Sequence, residues 1–331
     1  MIMNRLPIVL LGIITTVSFP SPLLALETEI SARIKEFSAD FDEIETSGTR
    51  TVIQQEGNLE LYPAVQNNFT ILADASQDFI NLGTNKLIQG DYQGAIADLN
   101  EAIRLNPQSA VAYNNRAASY LSLRQYQEAI ADLNEAVRLD PQYAAAYNSR
   151  GYIYNSLGAY QEALADLNEA IRLNPQYAVA YSNRGISYAS LKQYKEAIAD
   201  LNEAIRLNPQ YANAYNNRGI SYKNSGEYSK ALADFDEAIR LNPQDASYYY
   251  NRGNNYKNLK QYQEALADYT EAIRFNPQDA SYYYNRGISY ESLGDKEKAA
   301  DSFQQAADLY QQQRNTEWYQ NAIDRIRRLQ S

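Results

Sequence analysis

Six prolines stand 34 residues apart, at Pro107, Pro141, Pro175, Pro209, Pro243 and Pro277. A fixed interval of this length marks a stacked repeat, and it overrides any domain count taken from the 331-residue length. Other residue types fall into the same phase. Aromatics recur at Phe79, Tyr113, Tyr147, Tyr181, Tyr215, Tyr249 and Tyr283, and a small residue follows each, from Gly83 and Ala117 to Gly287. Alanines recur from Ala95 and Ala129 to Ala299, and again seven residues after each.

Local chemistry turns this phase into helices. In the third copy, the pattern predicts helices over 144–157 and 160–173, each about 20 Å long at 1.5 Å per residue. Gly158 suits a left-handed turn between them. Proline at 175 disfavours helical geometry at Asn174 and so ends the second helix. Arg124, Lys192 and Lys260 occupy the place of Gly158 in other copies; a left-handed turn there costs on the order of 1 kcal/mol each. Arg116, Arg150, Arg184, Arg218 and Arg252 each have an aspartate sixteen residues on, from Asp132 to Asp268. Antiparallel helices bring such residues together, which predicts an Arg–Asp pair inside each repeat.

The aromatic, small residue, tyrosine, paired alanines and proline resemble the tetratricopeptide repeat. The resemblance covers about residues 76–313 as seven copies; Lys86 departs from it in the first copy and Gln311 in the last. It implies an all-α fold: a right-handed superhelical solenoid of antiparallel helix pairs. Residues 314–331 carry Trp318, Ala322, Ile323, Ile326 and Leu329 at helical spacing and are expected to form a C-terminal capping helix. The Tyr-x-Asn-Arg-Gly segments look like those of exported bacterial members, many of which act in assembly.

The resemblance also implies that each repeat's first helix lines a concave groove. The groove positions then hold Asn115, Asn148, Asn183, Asn217, Asn251 and Asn285, a carboxamide ladder that becomes rich in tyrosine at Tyr250 and Tyr284, with Lys223 and Lys257 beside it. Asparagine carries a donor and an acceptor, so it fits both groups of an extended peptide backbone. The same groups equally suit bonds between neighbouring helices. The basic residues of a chaperone-tail clamp are missing from the expected positions, so that use is disfavoured.

Composition narrows the chemistry. The chain has no cysteine and no histidine and a net charge of −10. This removes thiolate chemistry, the commonest general base and the commonest transition-metal ligand. The acidic balance argues against nucleic acid and against an anionic membrane surface as partners. Phosphate-loop, calcium-loop and nucleophile motifs do not appear. The chain therefore reads as a non-enzyme with no cofactor and no metal. Its expected partners are other proteins or extended peptides, held on a scaffold and engaged in assembly of an envelope or membrane complex. The alternative is a small-ligand or metal carrier, or an enzyme, using clustered carboxylates.

Residues 1–25 read as a signal peptide: Arg5, a short apolar run over 6–17, then small residues ending at Ala25. The expected location is exported (periplasmic, luminal or extracellular) with no membrane span after cleavage; an uncleaved signal acting as an anchor is the alternative. Residues 26–75 form a non-repeat segment. Ile30, Ile34, Phe37, Phe41 and Ile44 make one stripe on a helix expected near 29–46, which would cover the first repeat or serve self-association. A hairpin is expected over 51–62.

Overall fold

The computed structural model describes residues 63–330, in which every regular element is an α-helix. Those residues belong to two compact units, one ending at Pro175 and one beginning at Gln176. The signal peptide, the helix near 29–46 and the hairpin lie outside the described residues.

The first unit holds α1 (Pro63–Gln89), α2 (Tyr92–Leu105), α3 (Ala110–Ser122), α4 (Tyr126–Leu139), α5 (Ala144–Leu157) and α6 (Tyr160–Leu173). The second holds α7 (Ala178–Ser190), α8 (Tyr194–Leu207), α9 (Ala212–Asn224), α10 (Tyr228–Leu241), α11 (Ala246–Asn258) and α12 (Tyr262–Phe275). It continues with α13 (Ala280–Ser292), α14 (Lys296–Gln312) and α15 (Thr316–Gln330). The helices fall into seven pairs followed by α15. The first helix is longer than the repeat pattern alone implies, because α1 runs unbroken from Pro63, a residue suited to the first turn of a helix, through position 76.

Both turn types follow from single residues. Between pairs, the residue before proline leaves helical geometry, as at Asn174 (φ −135°, ψ 91°). Within a pair the turn is left-handed whether or not glycine is present: φ is 78° at Gly158, 60° at Arg124, 62° at Lys192 and 60° at Lys260. The bonding is shared as well. The N–H of Ala159 donates to Tyr154 O at 2.9 Å, and that of Gln125 donates to Tyr120 O at 2.9 Å. This backbone closure fixes the turn and forces the side-chain-bearing residue to bear the strain. Lys192→Gly and Lys260→Gly are each expected to raise stability by ~0.5–1 kcal/mol, the relief of strain exceeding glycine's added unfolded-state entropy; urea unfolding of the single variants checks this.

The starts of the first helices differ. Asp245 and Asp279 accept hydrogen bonds from the N–H groups of Ser247 and Ser281, both at 2.9 Å. The corresponding residues of α5, α7 and α9 are Tyr143, Tyr177 and Tyr211, which cap no N–H through the side chain. Asp279→Ala is therefore expected to cost about 1 kcal/mol, whereas Tyr177→Ala loses no cap; matched thermal melts of the two variants test the difference.

Packing is built on small residues. Ala163, Ala170, Ala197, Ala204, Ala231 and Ala238 are fully buried on the second helices. Opposite them, Gly151 lies so close to Leu167 that an added Cβ would stand 2.7 Å from its Cγ. The aromatic counterparts Phe235, Tyr269 and Phe303 fill the same place beside Gly219, Gly253 and Gly287. In both units each first helix packs on its own second helix, and first helices of successive repeats also touch: α1 with α3, α3 with α5, α7 with α9, α9 with α11 and α11 with α13.

The expected Arg–Asp pairs form in every one of the five repeats. Arg116, Arg150, Arg184, Arg218 and Arg252 each donate from Nε and Nη2 to the two oxygens of Asp132, Asp166, Asp200, Asp234 and Asp268, at 2.6–2.9 Å. The guanidinium also lies over the tyrosine three residues earlier, as Arg218 does over Tyr215 at 5.5 Å. Its remaining nitrogen reaches the preceding repeat: Arg116 donates to Asn100, Arg150 to Asn134 and Arg218 to Asn202, each at 2.7 Å. One side chain thus ties two helices of a repeat and one of its neighbour. The last copy has Ser302 at the aspartate position, and Arg286 turns to Ser302 and Gln305 instead.

Helix α15 packs on α14. Ala322 is buried and Ile323, Ile326 and Leu329 are half-buried, while Trp318 stays 41% exposed. The opposite side carries Gln320, Asn321, Arg327 and Arg328, all exposed. Arg325 pairs with Glu291 at 2.9 Å, which fixes α15 against α13 as well.

Candidate functional site

The first helices of the second unit, α7, α9, α11 and α13, share one face, and the ten residues singled out in the sequence divide sharply by exposure. Asn115 and Asn148, in the first unit, are 5% and 0% exposed, and Asn183 in the second is 2% exposed. Their amides are buried, so they offer no surface to a peptide, and the ladder does not extend through them. Asn114 donates to Asn115, and Asn115 to Thr84 Oγ1 at 3.0 Å, so these carboxamides serve helix contacts. Buried amides need such partners, since an unpaired one costs stability. In the first unit Ile80, Leu87 and Leu121 on the first helices are core residues, and Val111 is exposed.

The remaining seven residues are half-buried and all lie in the second unit: Asn217, Lys223, Tyr250, Asn251, Lys257, Tyr284 and Asn285. Part of their hydrogen-bonding capacity is spent between repeats. Asn251 Nδ2 donates to Asn216 Oδ1 at 2.9 Å, and Asn285 Nδ2 donates to the Tyr250 hydroxyl at 3.1 Å. Lys257 Nζ donates to Asn285 Oδ1 at 2.6 Å. Lys257, Asn285 and Tyr250 therefore form one polar chain across α11 and α13. The rest is unspent. Neither the Asn217 carboxamide nor the Lys223 ammonium has a hydrogen-bond partner among the described residues, and the Tyr250 hydroxyl accepts without donating.

The tyrosines sort into core and surface. Tyr248, Tyr269 and Tyr282 are buried at 0%, 0% and 5% exposure. Burial pushes their phenols well above the ordinary range, and Tyr248 and Tyr269 donate to Asn213 and Asn254. These are supports. Tyr250 rests on Tyr282 (centroids 4.8 Å apart), and Tyr284 meets the Trp318 ring edge-on at 5.3 Å. Tyr250, Tyr284 and Trp318 thus give this face a run of aromatic surface with fixed ring positions. The helical spacing places Trp318 in the cap; its contact with Tyr284, one repeat earlier, arises from α15 folding back on α14. Among the described residues, no group of three or more carboxylates is arranged to hold a metal ion.

Tetratricopeptide repeat models match residues 110–143, 212–245, 235–267 and 280–313, and a further TPR repeat model matches 86–123, 151–192, 187–226 and 253–294. This chain belongs to the tetratricopeptide repeat family. No curated protein matches the sequence. Solved structures share the fold. A tetratricopeptide repeat protein from Parabacteroides merdae is 24% identical, with a TM-score of 0.60, covering 78% of this chain and 99% of its own. A chain of the APC/C Cut9–Hcn1 hetero-tetramer is 19% identical, with a TM-score of 0.64, over 80% of this chain; the match spans 55% of that chain's length. PilW, a type IV pilus biogenesis factor, is 20% identical, with a TM-score of 0.59, over 65% of this chain and 98% of its own. Tetratricopeptide repeat folds are typically scaffolds for protein–protein interaction, and none of the described helices is long and apolar enough to cross a membrane.

Proposed function

We propose that this tetratricopeptide repeat protein is a non-catalytic scaffold that holds an extended segment of another protein on the first-helix face of α9, α11 and α13. One observation carries the reading. On this face Asn217, Lys223 and the Tyr250 hydroxyl keep unspent polar groups, and the half-buried rings of Tyr250 and Tyr284 and the exposed ring of Trp318 lie along the same face. Such a mixture of fixed aromatic area and free donors is what recognition of a peptide needs. The asparagines then act in two ways: Asn251 and Asn285 set the spacing of the repeats, and Asn217 meets the backbone of the guest.

The test is a pull-down with the full chain and with Asn217→Ala, Tyr250→Phe and Tyr284→Ala. Each should lose bound protein while circular dichroism stays helical. Retention of the same partners by all three folded variants sinks the reading.

The leader-like sequence over 1–25 supports export and a role in assembly of an envelope or membrane complex. Cleavage after Ala25 gives a mature protein that begins at Leu26; N-terminal sequencing of secreted or periplasmic material checks it. Recovery of Met1 in the membrane fraction would instead indicate an anchor.

A further inference from the structure

Half-buried lysines are rare among the described residues, and their partners set two of them apart. Lys86 is paired with Asp98 at 3.0 Å. Lys223 and Lys257 are not paired with any carboxylate among the described residues, and they sit at the same position of successive repeats on α9 and α11. The half-buried arginines Arg116, Arg150, Arg184, Arg218 and Arg252 all have their aspartates. An ammonium group held away from water without a counter-ion is costly, and a chain with 40 acidic residues does not lack candidates to offset it. Arg286 is half-buried without a carboxylate as well, but it spends two nitrogens on Ser302 and Gln305, whereas the demand at Lys223 and Lys257 is left largely unmet.

Counting donors and acceptors there shows what is missing. Among the described residues Lys223 spends no N–H, and Lys257 spends one on Asn285. The Tyr250 hydroxyl accepts from Asn285 and so keeps its own proton to donate. The Asn285 oxygen is already taken by Lys257. The cluster is thus rich in donors and short of an acceptor, and it carries two positive charges. A neutral peptide carbonyl would answer the donors but leave the charge uncompensated. A carboxylate answers both.

We infer that Lys223 and Lys257, with the Tyr250 hydroxyl, form a binding site for an acidic side chain, Asp or Glu, within the extended segment held on this face. The inference rests on the peptide-holding reading above and names the side chain that the segment carries. Burial lowers both lysines from the ordinary value, and the charge of Lys223 lowers Lys257 further, as two cations awaiting an anion would show. Residues flanking the acid meet the rings of Tyr284 and Trp318 on one side and Asn217 on the other. Lys223 and Lys257 act here as specificity-determining residues rather than supports, which has a thermodynamic signature. A supporting residue loses stability on replacement; an unpaired buried charge replaced by an apolar side chain of similar length does not.

The experiment selects random internal peptides, both ends blocked by flanking sequence, on the full chain and on the Lys223→Met/Lys257→Met variant. Peptides selected on the native chain should be enriched in Asp and Glu. They should bind the double variant at least tenfold more weakly and the Lys223→Arg/Lys257→Arg variant nearly as well as the native chain. The melting temperature of the Met variant should equal or exceed that of the native chain. Selected peptides without acidic enrichment, or equal binding by the Met variant, overturn the inference. If such non-acidic peptides are lost on Tyr284→Ala, the peptide-holding reading stands alone. Selection of no peptide at all overturns both.

Discussion

Replacing Asp234 by alanine is expected to destabilise the second unit by ~3–5 kcal/mol. The reason is what remains behind. Arg218 is 19% exposed at its side chain, and Asp234 is 7% exposed. Without Asp234 the guanidinium keeps only Asn202 and the face of Tyr215. A buried cation left without its anion loses far more than the pair itself supplied. Burial in fact pushes the Asp234 carboxyl above its ordinary value despite Arg218, so desolvation outweighs the attraction on that side. The net worth of the intact pair is accordingly small. Arg218→Met combined with Asp234→Leu should therefore lie within about 1 kcal/mol of the native chain, although Asp234→Ala alone does not. Urea unfolding followed by hydrogen exchange at repeat resolution is the suitable measurement, because stacked repeats open locally and need not unfold in one step. Equal losses in the single and the double variant would mean that the pair is a net stabiliser, and that the desolvation argument is wrong.

Gly219→Ala should cost ~1–3 kcal/mol, although the change adds a single methyl group and favours helix formation locally. A Cβ at 219 would stand 2.7 Å from Phe235 Cε1 and 3.0 Å from Cδ1, against a ring with no exposure. The ring is fully buried and the neighbouring second-helix residues Ala231 and Ala238 are fully buried too, so it has little room to yield. The second repeat shows the compatible arrangement: Ala117 is 1% exposed in the same core cluster as Leu133. Phe235→Leu in the Gly219→Ala background should thus recover part of the loss. Thermal melts of the single and double variants decide the point, and an unaffected Gly219→Ala would show that helix spacing here is looser than the distances imply.

The residues that carry the fold were legible because each acts locally or recurs in phase. Asn174-Pro175 ends a helix whatever surrounds it, and Arg218 with Asp234 repeats a spacing that antiparallel helices must bring together. The turn at Lys192 was less legible. Its side chain argues against a left-handed conformation, and only the backbone closure of the turn, shared with Gly158, decides it. The candidate site was half legible. Asn148 stands one repeat position before Asn217; it is fully buried, as Asn114 and Asn216 are buried at the same position of their repeats, while Asn217 is half-buried, and the residue pattern alone does not say which of the two neighbouring positions turns inward. Tyr248 and Tyr250 are likewise two residues apart in one helix, and their faces separate a core support from a surface ring. Trp318 joins Tyr284 through a chain reversal that no periodicity announces.

The most direct test of the scaffold reading is photocrosslinking from defined positions, with p-benzoylphenylalanine at Asn217, at Tyr284 and, as a control, at Gln263, which is exposed on the second helix α12. The partner should be captured from 217 and 284 and not from 263. Capture from 263 alone, or equally from all three positions, would contradict a guest held on the first-helix face.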